Sequence, residues 1–174
     1  MDIVIQLIGF IGTALIIWSF QHNTNKRIIW FQILSGIVFT LHFSLLLAWP
    51  GAVNNLLGVL RNCVWVNREK KWADGIKWLW ISIFVFLISG YLTFLFTSDD
   101  LWYIPAIGMV FGSVALYIKN PKYTRLISLF GSFFWITYNI LCGSIAGVAT
   151  EIFVIGSIFY AMYRFKDYKL KKGE

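Results

Sequence analysis

GAVNNLLGVLRNCVWVNR, residues 51–68, and GVATEIFVIGSIFYAMYR, residues 147–164, are the two stretches on which the reading of this chain turns. Each is an apolar segment of helix length that opens at a glycine (Gly51, Gly147) and closes at an arginine (Arg68, Arg164), and 96 positions separate both pairs. Each also carries polar side chains that a helix facing only lipid would not. The first has Asn54, Asn55, Arg61 and Asn62; the second has Thr150 and Glu151. Polar groups inside an apolar segment turn toward one another or toward a cavity, because hydrocarbon leaves them unsatisfied.

Composition sets the class. Apolar residues make up 59% of the 174 and charged residues 13%, against soluble norms of about 45–50% and about 25%. Too little polar surface remains to cover a soluble globule, so the chain reads as an all-α integral membrane protein. The net charge of +7 is not a nucleic-acid signal, because the basic residues sit at segment ends as topology signals. Cys63 and Cys142 lie inside apolar segments near opposite membrane faces, so no disulfide is expected. Asp2, with no basic region after it, makes the first segment a retained helix and not a cleaved signal.

Seven segments approach the roughly 17–25 apolar residues that span a bilayer: 3–20, 28–48, 52–67, 76–97, 102–118, 124–142 and 147–164. The breaks carry turn or charge signals, among them Gln21 to Arg27, Trp49-Pro50-Gly51, Arg68 to Gly75, Ser98-Asp99-Asp100 and Lys119 to Lys122. With the N-terminus outside and the C-terminus cytoplasmic, every Lys and Arg except Arg61 falls on the inner face, while Asp2, Asp99 and Asp100 fall outside. That distribution satisfies the positive-inside rule. Trp30, Trp49, Trp72, Trp78, Trp102 and Tyr103 fit an interfacial belt. Trp18, Trp65 and Trp135 lie deeper, where they contact lipid, pack in the core or line a cavity.

The spacing of 96 extends along the chain without a gap. It relates Gly12 to Gly108, Lys26 to Lys122, Leu45 to Leu141 and Lys70 to Lys166. Segments one to three thus correspond to five to seven, and segment four has no counterpart. Three helices plus one linker helix make both units start on the same face. The fold expected is therefore two parallel three-helix bundles joined by a linker helix (3+1+3). The units are a first repeat at 1–70, a linker transmembrane helix at 71–100, a second repeat at 101–165 and a basic cytoplasmic tail at 166–174. In transporters built this way the substrate site lies near the midplane between the repeats.

The offset also pairs polar positions: His42 with Tyr138, and Asn55 with Glu151. Asn54, Gly58 and Arg61 share one helix face. The candidate substrate-binding residues are therefore Asn54, Asn55, Arg61, Tyr138, Asn139 and Glu151. Glu151 and His42 are candidates for a proton or gating role, beside packed structural roles for both. Arg61 binds an anionic or hydroxylated ligand, or snorkels to the inner surface. His and Cys are too few and too dispersed for a metal site. No phosphate-binding, dinucleotide or nucleophile motif is present, so neither a cofactor nor an enzyme activity is expected. Gly108 and Gly112 serve close helix packing or a dimer face, which leaves a homo-oligomer open.

Several short motifs carry a resemblance. Leu41-His42-Phe43, Pro50-Gly51-Ala52, Leu60-Arg61, Ile104-Pro105-Ala106-Ile107-Gly108, Tyr138-Asn139, Gly143 to Gly147 and Glu151 resemble the bacterial inner-membrane YgjV family across the whole chain. That family is distantly similar to the SWEET sugar facilitators, the PQ-loop carriers and the PnuC vitamin transporters. The resemblance implies a multi-pass protein of the bacterial inner membrane. It also implies a transporter that moves a small polar solute (a sugar, vitamin, nucleoside or amine-like metabolite) by alternating access. The alternative is a non-transporting membrane sensor or a subunit of a larger membrane assembly. The chain departs from the wider group in lacking a Pro-Gln pair in helix one. It carries Glu151 where the sugar facilitators place a second Asn.

Overall fold

The computed structural model describes residues 3–19, 25–118 and 121–171, with the side chains at 25, 28, 121, 122, 124, 161 and 164–171 left aside. The expected breaks at Gln21 to Thr24 and at Lys119-Asn120 lie outside the described residues, as do Asp2 and the chain from Lys172. So do the side chains of Lys122, Arg164, Lys166 and Lys169.

Among the described residues seven α-helices follow one another: α1 (Ile3–Ser19), α2 (Asn25–Leu45), α3 (Trp49–Trp65), α4 (Ile76–Thr97), α5 (Tyr103–Tyr117), α6 (Pro121–Leu141) and α7 (Ile145–Lys171). There is no strand among the described residues. Four starts, those of α2, α3, α6 and α7, fall two or three residues earlier than expected, and proline accounts for those of α3 and α6. The first turn of a helix has no intrahelical partner for its N–H groups, so proline fits there. Pro121 opens α6 and Pro50 lies in the first turn of α3. Gly51 and Gly147 are each the third residue of their helices, not the first. At the other end, α7 continues past Arg164 to Lys171.

The surface is apolar almost everywhere. Ile3, Trp18, Leu60, Phe84, Ile88, Phe96, Ile140 and Tyr163 are all exposed, Phe96 to 86%. By length and apolarity α4 alone passes as a membrane span among the described residues. Ile3–Ser19, Ile29–Leu45, Tyr103–Tyr117, Arg125–Leu141 and Ile145–Tyr160 are apolar as well, but shorter among the described residues. Gln6, Thr13, Ser35, His42, Asn54, Asn62, Ser113, Tyr138, Asn139, Ser144 and Thr150 are all buried.

Packing follows the chain, and two further contacts close the structure. Along the chain, α1 packs on α2, α2 on α3, α5 on α6 and α6 on α7. Across it, α1 packs on α7 and α3 on α5. Under the 96-residue correspondence these two cross contacts are equivalents. Small and hydroxyl residues let the first pair approach. Thr13 Oγ1 lies 2.7 Å from Thr150 Oγ1, and a Cβ added at Gly9 would sit 2.6 Å from the Ala146 Cβ. Close approach of this kind is what drives helix association where no hydrophobic effect acts. α4 buries the stripe Leu79, Ser82, Phe86, Gly90 and Thr93 against its neighbours.

The turns before α3 and α7 match atom for atom. Leu47 has φ 58° and Gly143, 96 residues on, has φ 72°. The amides of Ala48 and Ser144 both reach back five residues, to the carbonyls of Phe43 and Asn139, at 2.9 Å each. Apolar packing beneath these turns spans both halves of the chain, with Phe39, Phe43, Ala48, Ala52, Ile104 and Tyr138 in one buried cluster.

Candidate functional site

Two crossed hydrogen-bond relays hold the first turns of α3 and α7. The first-turn N–H groups of a helix need outside acceptors. In α7 the residue before the helix is Ser144, whose hydroxyl accepts the Gly147 N–H at 3.0 Å. That hydroxyl donates in turn to His42 Nε2 at 2.7 Å. The ring's other nitrogen, Nδ1, lies 2.8 Å from the Ile5 carbonyl. A carbonyl only accepts, so Nδ1 carries the proton and Nε2 accepts. In α3 the equivalent residue is Ala48, which has no hydroxyl and makes no side-chain cap. Tyr138, the counterpart of His42, supplies it. Its hydroxyl accepts the Gly51 N–H at 2.8 Å and donates to the Ala48 carbonyl at 3.2 Å. The longer phenol thus puts an oxygen where Ser144 has one. Gln6 completes the α7 end, accepting the Ala146 N–H and donating to the Gly143 carbonyl.

Past these relays the helices part around a cavity of about 310 Å³. Its wall includes Ile16 of α1, Gln32, Phe39 and Phe43 of α2, and Asn55, Arg61 and Asn62 of α3. From the other half come Met109 and Gly112 of α5, Ser128, Trp135 and Asn139 of α6, and Thr150 and Glu151 of α7. No residue of α4 lines it. Five pairs of lining positions are related by the offset of 96: Ile16 with Gly112, Gln32 with Ser128, Phe39 with Trp135, Phe43 with Asn139, and Asn55 with Glu151.

Of the residues expected at a site, Asn55, Arg61, Asn139 and Glu151 do line this cavity. Asn55 Nδ2 donates back to the Gly51 carbonyl at 3.0 Å. Arg61 reaches from α3 toward α5, donating from Nη1 to Ser113 Oγ at 3.2 Å and to the Met109 carbonyl at 3.4 Å. Its Nε and Nη2 both point at Asn62 Oδ1, and its Cζ sits 5.5 Å from the centre of the Phe86 ring of α4. Arg61 is therefore held between α3 and α5, against the Phe86 ring of α4. The Ser132 hydroxyl lies within hydrogen-bonding reach of Glu151.

Asn54, Tyr138 and His42 stand elsewhere. Asn54 is fully buried, with Nδ2 on the Pro50 carbonyl at 2.8 Å and its Oδ1 without a partner among the described residues. Tyr138 and His42 are also fully buried, and they belong to the relays described above. Of the three deep tryptophans, Trp135 lines the cavity, Trp65 is packed with Ile29, Ile33 and Val59, and Trp18 is exposed. Gln32, Ser128, Phe39 and Phe43 line the cavity as well and are not among the residues expected from the sequence. The signal for Gln32, Ser128 and Phe39 was the same offset, which pairs amide with hydroxyl and Phe39 with Trp135, whereas Phe43 falls opposite Asn139 and carries no such signal. Among the described residues no three His, Cys, Asp or Glu side chains gather as metal ligands, and both cysteines are free.

A family model for bacterial inner membrane proteins, Imp-YgjV, matches residues 3–169. The chain belongs to this family. It is similar to the inner membrane protein YgjV of Escherichia coli (strain K12), 23% identical over 146 residues that cover 84% of this chain and 75% of that relative. No solved structure matches the chain. The family places the chain in the bacterial inner membrane, and its seven helices and apolar surface fit a multi-pass protein.

Proposed function

We propose that this protein is a transporter that carries a small polar solute across the inner membrane through the cavity between its two helix triplets. In this reading α1–α3 and α5–α7 are parallel three-helix bundles within the units 1–70 and 101–165. α4, within 71–100, returns the chain to the outer face, and the basic residues from 166 onward are cytoplasmic. The observation that carries the reading is the makeup of the cavity wall. All six helices of the two triplets contribute, α4 contributes nothing, and five equivalent position pairs meet there. A site on the axis between repeats is where transporters of this layout bind substrate. Buried polar groups around an apolar-walled space of this size suit a small ligand with a few hydrogen-bonding groups.

The two bundles rock about the site in alternation. The relays from His42 and Tyr138 close the outer end by tying each bundle to the first turn of the other's third helix. Opening that end requires the relays to part, so solute release and closure are coupled to the same few hydrogen bonds.

The test is uptake by proteoliposomes across a panel of labelled sugars, nucleosides, vitamins and amino acids. Uptake of one class, lost in Arg61→Ala and in Glu151→Gln at unchanged insertion, supports the proposal. Equal uptake by empty and protein-bearing vesicles across the panel, together with a stably co-purifying partner, would favour a sensor or subunit instead.

A further inference from the structure

Arg61 and Glu151 line the same cavity, one from each triplet. Opposite charges that share a space poor in water attract strongly, yet these two are not joined. The partners that Arg61 and Glu151 do have are neutral. Helical spacing explains the separation. Glu151 corresponds to Asn55, and Arg61 lies six residues further along α3, about 9 Å at the usual rise.

The state of Arg61 is informative. Its Nε and Nη2 form the edge of the guanidinium that takes a carboxylate with two parallel hydrogen bonds. Here a single amide oxygen, Asn62 Oδ1, spans both nitrogens at 3.3 and 3.2 Å. These are long contacts from a neutral group that itself lines the cavity. Nη1 is meanwhile anchored on Ser113 and Met109. The anchor fixes the fork while its binding edge holds only a weak substitute. At the other end, Ser132 fills one of the roughly four acceptor positions that a carboxylate offers.

Resting on the transporter reading for the site, we infer that the solute is a zwitterion of amino-acid size. Its carboxylate displaces Asn62 Oδ1 from the Nε–Nη2 edge of Arg61, and its ammonium group meets Glu151. The aromatic walls at Phe39, Phe43 and Trp135 face its carbon skeleton. The cavity volume of about 310 Å³ is at the lower end for small-molecule sites, which suits such a ligand.

The test titrates the purified full chain in nanodiscs with the free L-amino acids and short ω-amino acids, following Trp fluorescence and calorimetry. Each compound is run beside its N-acetyl and its carboxamide form. We expect each blocked form to bind about tenfold or more weakly, the scale of one charged hydrogen-bonded contact. Glu151→Gln should abolish the preference for the free amine, and Arg61→Met the preference for the free carboxylate. Arg61→Lys should keep the latter, and melting temperatures report whether each variant is folded. Equal affinity for free and blocked forms overturns the inference. Binding and uptake of an uncharged polyol or nucleoside without zwitterion binding also overturns it and leaves transport standing. Zwitterion binding that depends on both ends, with no uptake of any solute, upholds the ligand class and removes the transporter reading.

Discussion

Tyr138 shows how one residue acquires its role from its surroundings. As a phenol within an apolar segment it reads as a candidate ligand group, and the structure uses it to cap a helix. Ala48 leaves the Gly51 N–H without a local acceptor, and only an oxygen from α6 reaches it. Tyr138→Phe strands that buried donor, so we expect a loss of about 1–3 kcal/mol, read as a lower melting temperature. Ala48→Ser in the same background restores the cap that Ser144 provides in the other half. It should recover about 1 kcal/mol. A double variant no more stable than Tyr138→Phe would show that the phenol does not act as a cap. Gly147 is a second case, because a Cβ there would run into the Asn139 amide and sit 2.6 Å from Ser144 Oγ. Gly147→Ala should therefore destabilise by about 1–3 kcal/mol, visible in the same melts, with solute binding weakened because Asn139 must move.

At the scale of elements, the turn from α2 to α3 and the turn from α6 to α7 solve one geometric problem with different residues. Both need a left-handed residue to leave the helix and re-enter the next within three positions. Gly143 takes that conformation freely, and Leu47 takes it against the preference of any residue with a Cβ. The Leu47 side chain is 71% exposed, so little packing is lost on its removal. Leu47→Gly should raise stability by about 1 kcal/mol, and Gly143→Ala should lower it by a similar amount. Paired melts in one detergent give the comparison, and a fall in both would refute the assigned turn geometry. The helix spans themselves were legible from the breaks, because prolines, charges and turn residues interrupt every apolar run. Their starts were less so, since Pro50 reads as an interruption in sequence and is in fact the opening turn of α3.

For the molecule as a whole, the arrangement follows from the scarcity of polar groups. Some polar groups of α1–α3 and α5–α7 find partners on facing helices, as Thr13 does on Thr150 and Ser35 on Gly12, others bond to their own helix as Thr40 and Asn55 do, and several line a cavity between the two triplets. α4 keeps an apolar exterior and passes outside that system. The proposed orientation has a direct check by single-cysteine labelling in intact cells. Asp99→Cys should react with an impermeant maleimide from outside, and Lys70→Cys only after permeabilisation. Labelling of both from one side would reverse or break the proposed topology.

The sequence alone determined that the chain is helical, apolar and broken into seven runs, because bilayer length and the need to satisfy every backbone group leave few alternatives. It also determined the offset of 96, and with it the pairing of Asn55 with Glu151 at one cavity. Tertiary structure decided which of the polar residues cap helix ends and which line the cavity. Tyr138 stood on equal terms with Asn139 and Glu151 in the sequence, and His42 stood as a proton or gating candidate beside a packed structural role. A hydrogen bond across 87 or 102 residues, such as Tyr138 to Gly51 or His42 to Ser144, has no local signature. The same holds for the stretches 51–68 and 147–164. Their glycines looked like boundaries and are points of close approach. Which neighbour fills the space a side chain vacates is settled only when helices distant in sequence come together.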